Sequence, residues 1–459
     1  MENIQLKELK INRNISETAP VFLTEETMIH RKNKVLKAMN ERNIDVIVIY
    51  GDLEHGSNFE YLTGFLTRFE EACLVLHKNG NCYLMLGNEN LNKASIARIK
   101  NNPIHVPAFS LPNQPMDCDL NFSEYFKKAK ISLDMRVGVV GWKLFTSSIN
   151  DNSKTFEIPS FIIESLKSIV DEQNLINATD IFISPEFGVR ITNNANEVAR
   201  YEYWSQLASV GITKAIDELK VGQSEIEVAE KLNIGGQPNN VVTIAATGAR
   251  FENANLYPTN KEVKLGDPIS LTVGYKGGLS SRAGYVVEDV SQLPEGQKDY
   301  VEKLAGPYYS LICKWLEFIK IEKSGCEIYD YVESVFSKAN FGWKLNPGHL
   351  IAEEEWMSSP IYPASKCKIK SGMLLQTDII PKIQSYAGTS CESGILIADE
   401  KLQDEIKSQY PELYTRFMHR REFATKCLNL KLSEEVLFMN DTVAVYKPLM
   451  LGTKFLVKK

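Results

Sequence analysis

The stretch GDPISLTVGYKGGLSSRAGYVV, Gly266 to Val287, decides the fold of the second half of this chain. Apolar residues alternate with small polar ones on both sides of the central KGG, a pattern that predicts two β-strands joined by a tight turn. Thr272 and Arg282 fall at positions predicted to face inward. From Pro268 onward the stretch contains no aspartate or glutamate, so the predicted hairpin offers no carboxylate to a cation.

The composition of the whole chain is that of a globular protein. Its 459 residues are 44% hydrophobic and 24% charged, and this length predicts two domains. With 52 basic and 58 acidic residues the formal net charge is −6, which does not suggest the basic surface typical of nucleic-acid binding. We expect a small-molecule or peptide-like ligand and no nucleic-acid partner.

The sequence also bears on the compartment. It contains no apolar run as long as a membrane span, and its first twenty residues lack the apolar core of a secretory signal. The eight cysteines are scattered, without a CxxC pair, a usage that favours reduced thiols. We therefore expect a cytoplasmic protein without a membrane partner.

The first third of the chain alternates predicted helices and strands. Thr24 is a candidate N-cap of an amphipathic helix, and IDVIVIY (Ile44 to Tyr50) is a continuous apolar run typical of a strand buried on both faces. A predicted hairpin and a second buried strand, RVGVVGW, follow. We expect residues 1–190 to form an α/β domain with a mixed sheet.

A long amphipathic helix that begins near Asn196 marks the predicted domain boundary. Residues 191–459 are expected to form the second domain, in which helices and antiparallel strands are mixed. A charged helical segment, residues 402–427, extends this domain before a strand-like end. The predicted fold class is thus α/β followed by α+β.

Several segments, in this order, resemble those of creatinases and Xaa-Pro peptidases, the M24 family. NFEYLTGF (Asn58 to Phe65) resembles their N-terminal domain, and the hairpin of residues 266–287 resembles the metal-bearing hairpin of their pita-bread catalytic domain. NPGHLIAEEEW, KSGMLLQTDIIP and YAGTSCESGILIADE resemble three later segments of that domain's site. The resemblance implies a creatinase-like N-terminal α/β domain, a pita-bread C-terminal domain and a homodimer.

The peptidases of this family hold two divalent ions with two aspartates, one histidine and two glutamates, ligands that suit such cations. By this resemblance the five positions fall, in chain order, on Thr272, Arg282, His349, Asp378 and Glu392. Two carboxylates are lost and one stands on a shorter side chain. We therefore expect no metal and no other cofactor, and we treat His349, Asp378 and Glu392 as candidate catalytic residues.

Five residues are candidates for ligand binding: Arg250, Glu252, Asn255, Arg282 and Trp356. Two accessory histidines of the family fall at Asn255 and Trp356, and neither is a histidine here. Arg250 and Glu252 lie where the family approaches its substrate, although a surface pair explains them equally well.

For the retained residues a structural explanation competes with the functional one. His349 is either a proton-transfer group or a structural histidine. Asp378 and Glu392 could act as catalytic carboxylates. We favour instead their pairing with Arg282, whose guanidinium would replace the metal and lie roughly 4 Å from one of them. Most of the acidic run from Glu353 to Glu355 is explained as a solvated loop.

Three functions remain open. The first is an M24-type protein without the dinuclear metal site that binds, or hydrolyses without metal as creatinase does, a small peptide-like or amino-acid-derived C–N compound. The second is an active metal-dependent Xaa-Pro aminopeptidase or dipeptidase with a rearranged site. The third is a non-catalytic scaffold dimer that assembles through the helical segment 402–427.

Overall fold

A computed structural model describes residues 4–9, 18–114, 120–253 and 257–459. Residues 23–191 form one compact unit, and residues 192–459 form a second unit together with the described residues before 23. The second unit includes β1 (Ile4–Glu8), because this strand pairs antiparallel with the last strand of the chain, Lys454–Lys458. The described residues before 23, which the sequence analysis assigns to the first domain, thus group with the second unit.

The first unit is an α/β domain. Its helices and strands are α1 (Glu25–Glu41), β2 (Val46–Gly51), α2 (Ser57–Thr63), β3 (Ala72–His77), β4 (Cys82–Leu86), β5 (Asn102–His105), α3 (Phe122–Lys128), β6 (Val137–Val140), α4 (Ser160–Lys167), β7 (Leu175–Asn177) and α5 (Asp180–Ile183). The strands form one six-stranded sheet in the order β5-β4-β3-β2-β6-β7. The sheet is mixed, since β2 pairs parallel with β6 and antiparallel with β3.

Two local features of this unit follow directly from the sequence. Every residue of β2 is buried, which accounts for its continuous apolar run. Thr24 caps α1, because its hydroxyl accepts a hydrogen bond from the Thr27 N–H at 3.2 Å and so satisfies one of the free donors at the helix start. Both predictions are confirmed.

The second unit combines helices with antiparallel strands. Its further elements are α6 (Ala195–Asp217), α7 (Glu225–Leu232), β8 (Ile244–Thr247), α8 (Ala249–Glu252), β9 (Pro268–Tyr275), β10 (Gly278–Tyr285), α9 (Gly306–Phe318), α10 (Gly325–Val335), α11 (Lys338–Phe341), β11 (His349–Leu350), β12 (Leu374–Gln376), β13 (Ser390–Glu392), β14 (Gly394–Ile397), α12 (Glu400–Gln409), α13 (Pro411–Lys426), β15 (Val436–Phe438) and β16 (Lys454–Lys458). Two four-stranded antiparallel sheets have the orders β13-β10-β9-β8 and β11-β12-β14-β15. The predicted fold class is confirmed.

Helix α6 supports the sheet that carries the hairpin. It begins with a capping box, in which Asn194 and Glu197 each bond the backbone of the other. Trp204 and Ile212 then belong to one core cluster with Leu271 of β9, so the helix fixes the hairpin from one side. None of the helices in the described ranges, α6 included, is long and apolar enough to cross a membrane.

The predicted helical segment 402–427 corresponds to α12 and α13. Arg416 and Arg420 of α13 both bind the carboxylate of Glu202 on α6, each with a contact of 2.7 Å. Arg420 also reaches Asp441 at 2.7 Å. The acidic partner Glu202 is buried, so these ion pairs dock the segment within its own unit.

Candidate functional site

The hairpin places two neutral hydroxyls, those of Thr272 and Ser281, on one face of its sheet. A tight turn at Lys276-Gly277 joins β9 to β10, and in this register Thr272 lies opposite Ser281. Ser281 in turn lies opposite Glu392 of β13, so the three side chains share one face of the sheet. The Thr272 hydroxyl donates to Ser281 Oγ at 2.8 Å.

Arg282 lies on the other face of this sheet, which corrects the predicted ion pair. It is opposite Cys391, the neighbour of Glu392, and side chains of neighbouring strand residues point to opposite faces. Its guanidinium donates to the backbone carbonyls of Val445 at 2.9 Å and Glu392 at 2.8 Å. It also donates to the carbonyls of Ser281 and Thr442. Arg282 therefore stabilises the surrounding backbone through hydrogen bonds, and Ser281 is the residue that faces Glu392.

His349 lies at the centre of the site. It is fully buried on β11, opposite Gln376 of β12. Its Nε2 lies 3.1 Å from Glu355 Oε1 and 4.0 Å from Asp378 Oδ2. Its Nδ1 lies 3.2 Å from the carbonyl oxygen of Leu350, which can only accept, so this nitrogen carries a proton.

The three carboxylates at this site meet different partners. Glu355 faces the His349 imidazole, whereas Glu392 accepts a hydrogen bond from the neutral amide Nε2 of Gln376 at 3.3 Å. Donor atoms of His349, Glu355 and Glu392 all lie within 4.8 Å of one another. Asp378 joins the same group through His349.

Three polar atoms at or beside this cluster lack a hydrogen-bond partner among the described residues. They lie on β12 and in the segments that follow β11 and β12: Ser358 Oγ, Gln376 Oε1 and Asp378 Oδ1. An unpartnered buried polar atom is costly to the fold. A polar group bound here would relieve that cost.

The electrostatics of the cluster follow from burial and crowding of like charges. Burial, opposed by His349 and reinforced by Glu355, raises the pKa of Asp378 to about 6. Burial, together with Asp378 and Glu355, raises the pKa of Glu392 well above its usual range, although the charge of Arg282 lowers it somewhat. Burial lowers the pKa of His349, but Glu355 and Asp378 outweigh it and leave that pKa raised.

Trp356 closes the site towards solvent. Its ring stacks on the His349 imidazole with centroids 4.0 Å apart and planes inclined by 22°. The indole is 38% exposed, while His349 beneath it is fully buried. The indole can offer an aromatic face to a ligand but no proton-transfer group.

Two other predicted ligand-binding residues, Arg250 and Glu252, are not brought to this cluster. Arg250 binds the buried carboxylate of Glu225 through its Nε at 2.8 Å and donates to the Tyr257 carbonyl, so it has a structural role. Glu252 is exposed on the short helix α8. Asn255 lies outside the described residues.

Cys391 remains unsuited to nucleophilic catalysis. It faces the Arg282 side of the sheet, and burial raises the pKa of its thiol, which disfavours the thiolate. Its Sγ contacts the carbonyl oxygen of Val445 at 3.7 Å.

Ser281 and Gln376 were not among the residues predicted for this site, and Glu355 was considered only as one member of an acidic run. Ser281 was missed because the prediction chose its neighbour Arg282, whose side chain lies on the other face of the sheet. Glu355 belongs to an acidic run, and such a run usually lies on a solvated loop. Gln376 precedes Asp378 by two residues, so strand alternation would have placed both on one face.

The two-ion centre implied by the fold does not fit these residues. Thr272 and Ser281 are neutral and are hydrogen-bonded to each other, so the two aspartates that should offset the charge of paired ions have no replacement on this hairpin. A single divalent ion would find one nitrogen and two carboxylates within reach, from His349, Glu355 and Glu392.

Comparison with solved structures shows which known proteins share this fold. Solved structures with the same fold include a prolidase from Thermococcus sibiricus, with a TM-score of 0.63 and 15% identity over 83% of this chain and 96% of that one. An Xaa-Pro dipeptidase from Bacillus anthracis has a TM-score of 0.61 and 16% identity over 82% and 96% of the two chains. The prolidase from Pyrococcus furiosus has a TM-score of 0.58 and 18% identity over 79% of this chain and 96% of that one. The chain therefore has the fold of prolidases.

A sequence-level match is confined to the first unit. Residues 31–106 match the family model of the Creatinase/Prolidase N-terminal domain. No curated protein sequence matches the chain. The chain thus carries a creatinase/prolidase N-terminal domain within the prolidase fold, and the resemblance drawn from its ordered motifs is confirmed at that level.

Proposed function

We propose that the protein binds a small peptide-like or amino-acid-derived molecule at the His349 cluster and that it lacks the dinuclear chemistry of metallopeptidases. The observation that carries this proposal is the set of unpartnered polar atoms gathered around the buried imidazole. A ligand with polar groups would satisfy them.

The loss of the two-ion centre argues against peptidase activity of the usual kind. Metal-assisted hydrolysis needs an ion to polarise the carbonyl and to activate water. Neutral Thr272 and Ser281 offer hydrogen bonds instead, which suit the amide groups of a bound ligand better than a second cation.

If the site also hydrolyses a C–N bond without metal, the chemistry falls to His349, Asp378 and Glu392. A proton could pass through His349, because Glu355 and Asp378 stabilise its charged form. Glu392, with its strongly raised pKa, would carry a proton to donate to the leaving nitrogen.

A second candidate is a hydrolase that uses a single divalent ion. The observation that favours it is the short mutual distance of donor atoms on His349, Glu355 and Glu392, because three protein ligands can hold one catalytic zinc. In this case activity would depend on the metal and would disappear with a chelator.

Thermal unfolding of chelator-treated protein with a panel of dipeptides and amino-acid derivatives tests the proposal. A ligand that binds only the folded state raises the unfolding temperature, and we expect this for at least one member of the panel. We also expect no release of proline from Xaa-Pro dipeptides with added manganese, cobalt or zinc. Robust, chelator-sensitive release would contradict the proposal and support the single-ion hydrolase.

We further infer a cytoplasmic homodimer from the resemblance to this family. A scaffold that assembles through α12 and α13 is less well supported, because buried ion pairs from α13 are used within the unit itself. Sedimentation at micromolar concentration is expected to show a dimer. Detection of monomer alone would contradict the inferred homodimer.

A further inference from the structure

We propose that a groove along β1 binds an extended acidic segment of a partner protein, which adds to β1 as a further strand. The groove lies within the second unit, and its described lining residues are separate from the His349 cluster. They belong to β1, to β16, to α9 and to the π-helical turn Val301–Ala305 that precedes α9, among other segments. The inference therefore concerns an interaction surface that is independent of the proposed ligand site.

The outer edge of β1 is open. Within the described part of the chain β1 pairs only with β16, and Leu6 lies opposite Leu456. The Leu456 N–H donates to the Tyr446 carbonyl at 2.9 Å, so Leu456 directs its backbone groups away from β1. Facing residues of an antiparallel ladder either bond each other or both turn outward. The N–H and C=O of Leu6, and by alternation those of Ile4, therefore point to the open edge.

An open edge of this kind can accept a further strand. Unpaired N–H and C=O groups in a row are the template to which an extended peptide adds. The five residues of β1 span about 17 Å at the usual rise of about 3.4 Å per residue. A partner segment of about five or six residues would match this length.

The groove beside the edge offers apolar side chains and ample space. Ile4 and Leu6 are half-buried. Pro307, Val335 and Phe341 also line the groove. Its volume is about 1970 Å³ when the open side is included, whereas small-molecule pockets usually measure roughly 300–1,000 Å³. A peptide segment therefore suits this groove better than a small molecule does.

The groove is basic although the chain as a whole is acidic. Two of its described lining residues are acidic, Asp299 and Glu302, and four are basic: Lys298, Lys303, Lys314 and Lys459. Asp299 accepts a hydrogen bond from the Tyr386 hydroxyl at 2.7 Å. Because the formal net charge of the chain is −6, this local excess of lysine distinguishes the groove and favours an acidic partner.

The π-helical turn carries part of this charge. Glu302 and Lys303 are exposed on it, while Leu304 and Ala305 of the same turn are buried. The turn is thus anchored in the core and presents Lys303 at the groove. Such π-helical turns are rare and are frequent at functional sites, which supports a binding role for this wall.

Fluorescence polarisation with short labelled peptides and the full chain tests the proposal. In the first peptide valine alternates with glutamate, in the second it alternates with lysine, and the third is the first with its backbone amides N-methylated. We expect the first to bind at least about tenfold more tightly than either of the others. Lysine reverses the charge, and N-methylation removes the hydrogen bonds of strand addition.

A matched pair of variants locates the peptide. Lys303→Glu should weaken binding of the glutamate peptide by at least about fivefold at low ionic strength, where charge contacts are least screened. Lys401→Glu, at an exposed position on α12, should leave the affinity unchanged. An unchanged affinity in Lys303→Glu would contradict binding in this groove.

The remaining outcomes also decide the matter. Equal binding of the glutamate and lysine peptides would contradict the acidic partner, and undiminished binding of the N-methylated peptide would contradict strand addition. No binding of the glutamate peptide up to about 1 mM would overturn the proposal. Binding of phosphatidylserine vesicles that depends on Lys303, without peptide binding, would assign the groove to a membrane surface instead. The comparison of peptides needs only the natural chain, so it stands even if a variant fails to fold.

Discussion

Replacing Arg282 with alanine is expected to destabilise the protein by on the order of 3 kcal/mol. The side chain is 2% exposed and its donors reach carbonyls of four separate residues, Ser281, Glu392, Thr442 and Val445. Truncation would leave these carbonyls buried without donors and would open a cavity. Urea denaturation measures the loss, and Arg136→Ala, at an exposed position, should change stability by less than about 0.5 kcal/mol.

A double substitution shows which partner of Arg282 matters. If the guanidinium mainly neutralised the Glu392 carboxylate, Glu392→Gln would remove most of the cost of Arg282→Ala. We expect the cost to persist largely unchanged in the Glu392→Gln background, because the hydrogen bond goes to the backbone carbonyl of Glu392. Full suppression would restore the view that Arg282 replaces a metal.

Glu392→Gln by itself is expected to stabilise the ligand-free protein at neutral pH, by on the order of 1–3 kcal/mol. Burial and the carboxylates of Asp378 and Glu355 raise the pKa of Glu392, so the folded state resists its ionisation. The wild-type protein therefore loses stability as the pH rises through this raised pKa. Glutamine has nearly the same shape, carries no charge, and can still accept from Gln376.

The pH dependence gives this prediction a sharp control. The gain from Glu392→Gln should grow as the pH rises and should nearly vanish in acid, where Glu392 is protonated in both the folded and the unfolded state. Glu54→Gln, at an exposed position, should show neither the gain nor its pH dependence. A loss of stability in Glu392→Gln would indicate that a bound cation is already paired with this carboxylate.

The large-scale fold could be predicted because its determinants are local and ordered. The apolar run of β2, the Thr24 cap and the turn after Tyr275 each specify their own element. The order of the motifs then specified the architecture. The grouping of β1 with the second unit could not be predicted, because it depends on pairing between β1 and β16, at opposite ends of the chain.

The site was less accessible to sequence analysis because its chemistry depends on strand register. A shift of one residue moves a side chain to the opposite face of a sheet. Arg282 was therefore predicted to face Glu392, whereas its neighbour Ser281 does so. The pairing of Ser281 with Glu392 that corrects it joins β10 to a strand more than a hundred residues away. Glu355 likewise became a site residue only when the fold brought it to His349.

Titration of chelator-treated protein with manganese or zinc, followed by native mass spectrometry, tests the central claim most directly. The account predicts a chain that retains no stoichiometric metal and that still binds a dipeptide or amino-acid derivative. Two ions per chain would contradict it outright, because Thr272 and Ser281 would then have to serve a dinuclear centre. One ion per chain, lost in His349→Ala and in Glu355→Gln, would replace it with the single-ion hydrolase.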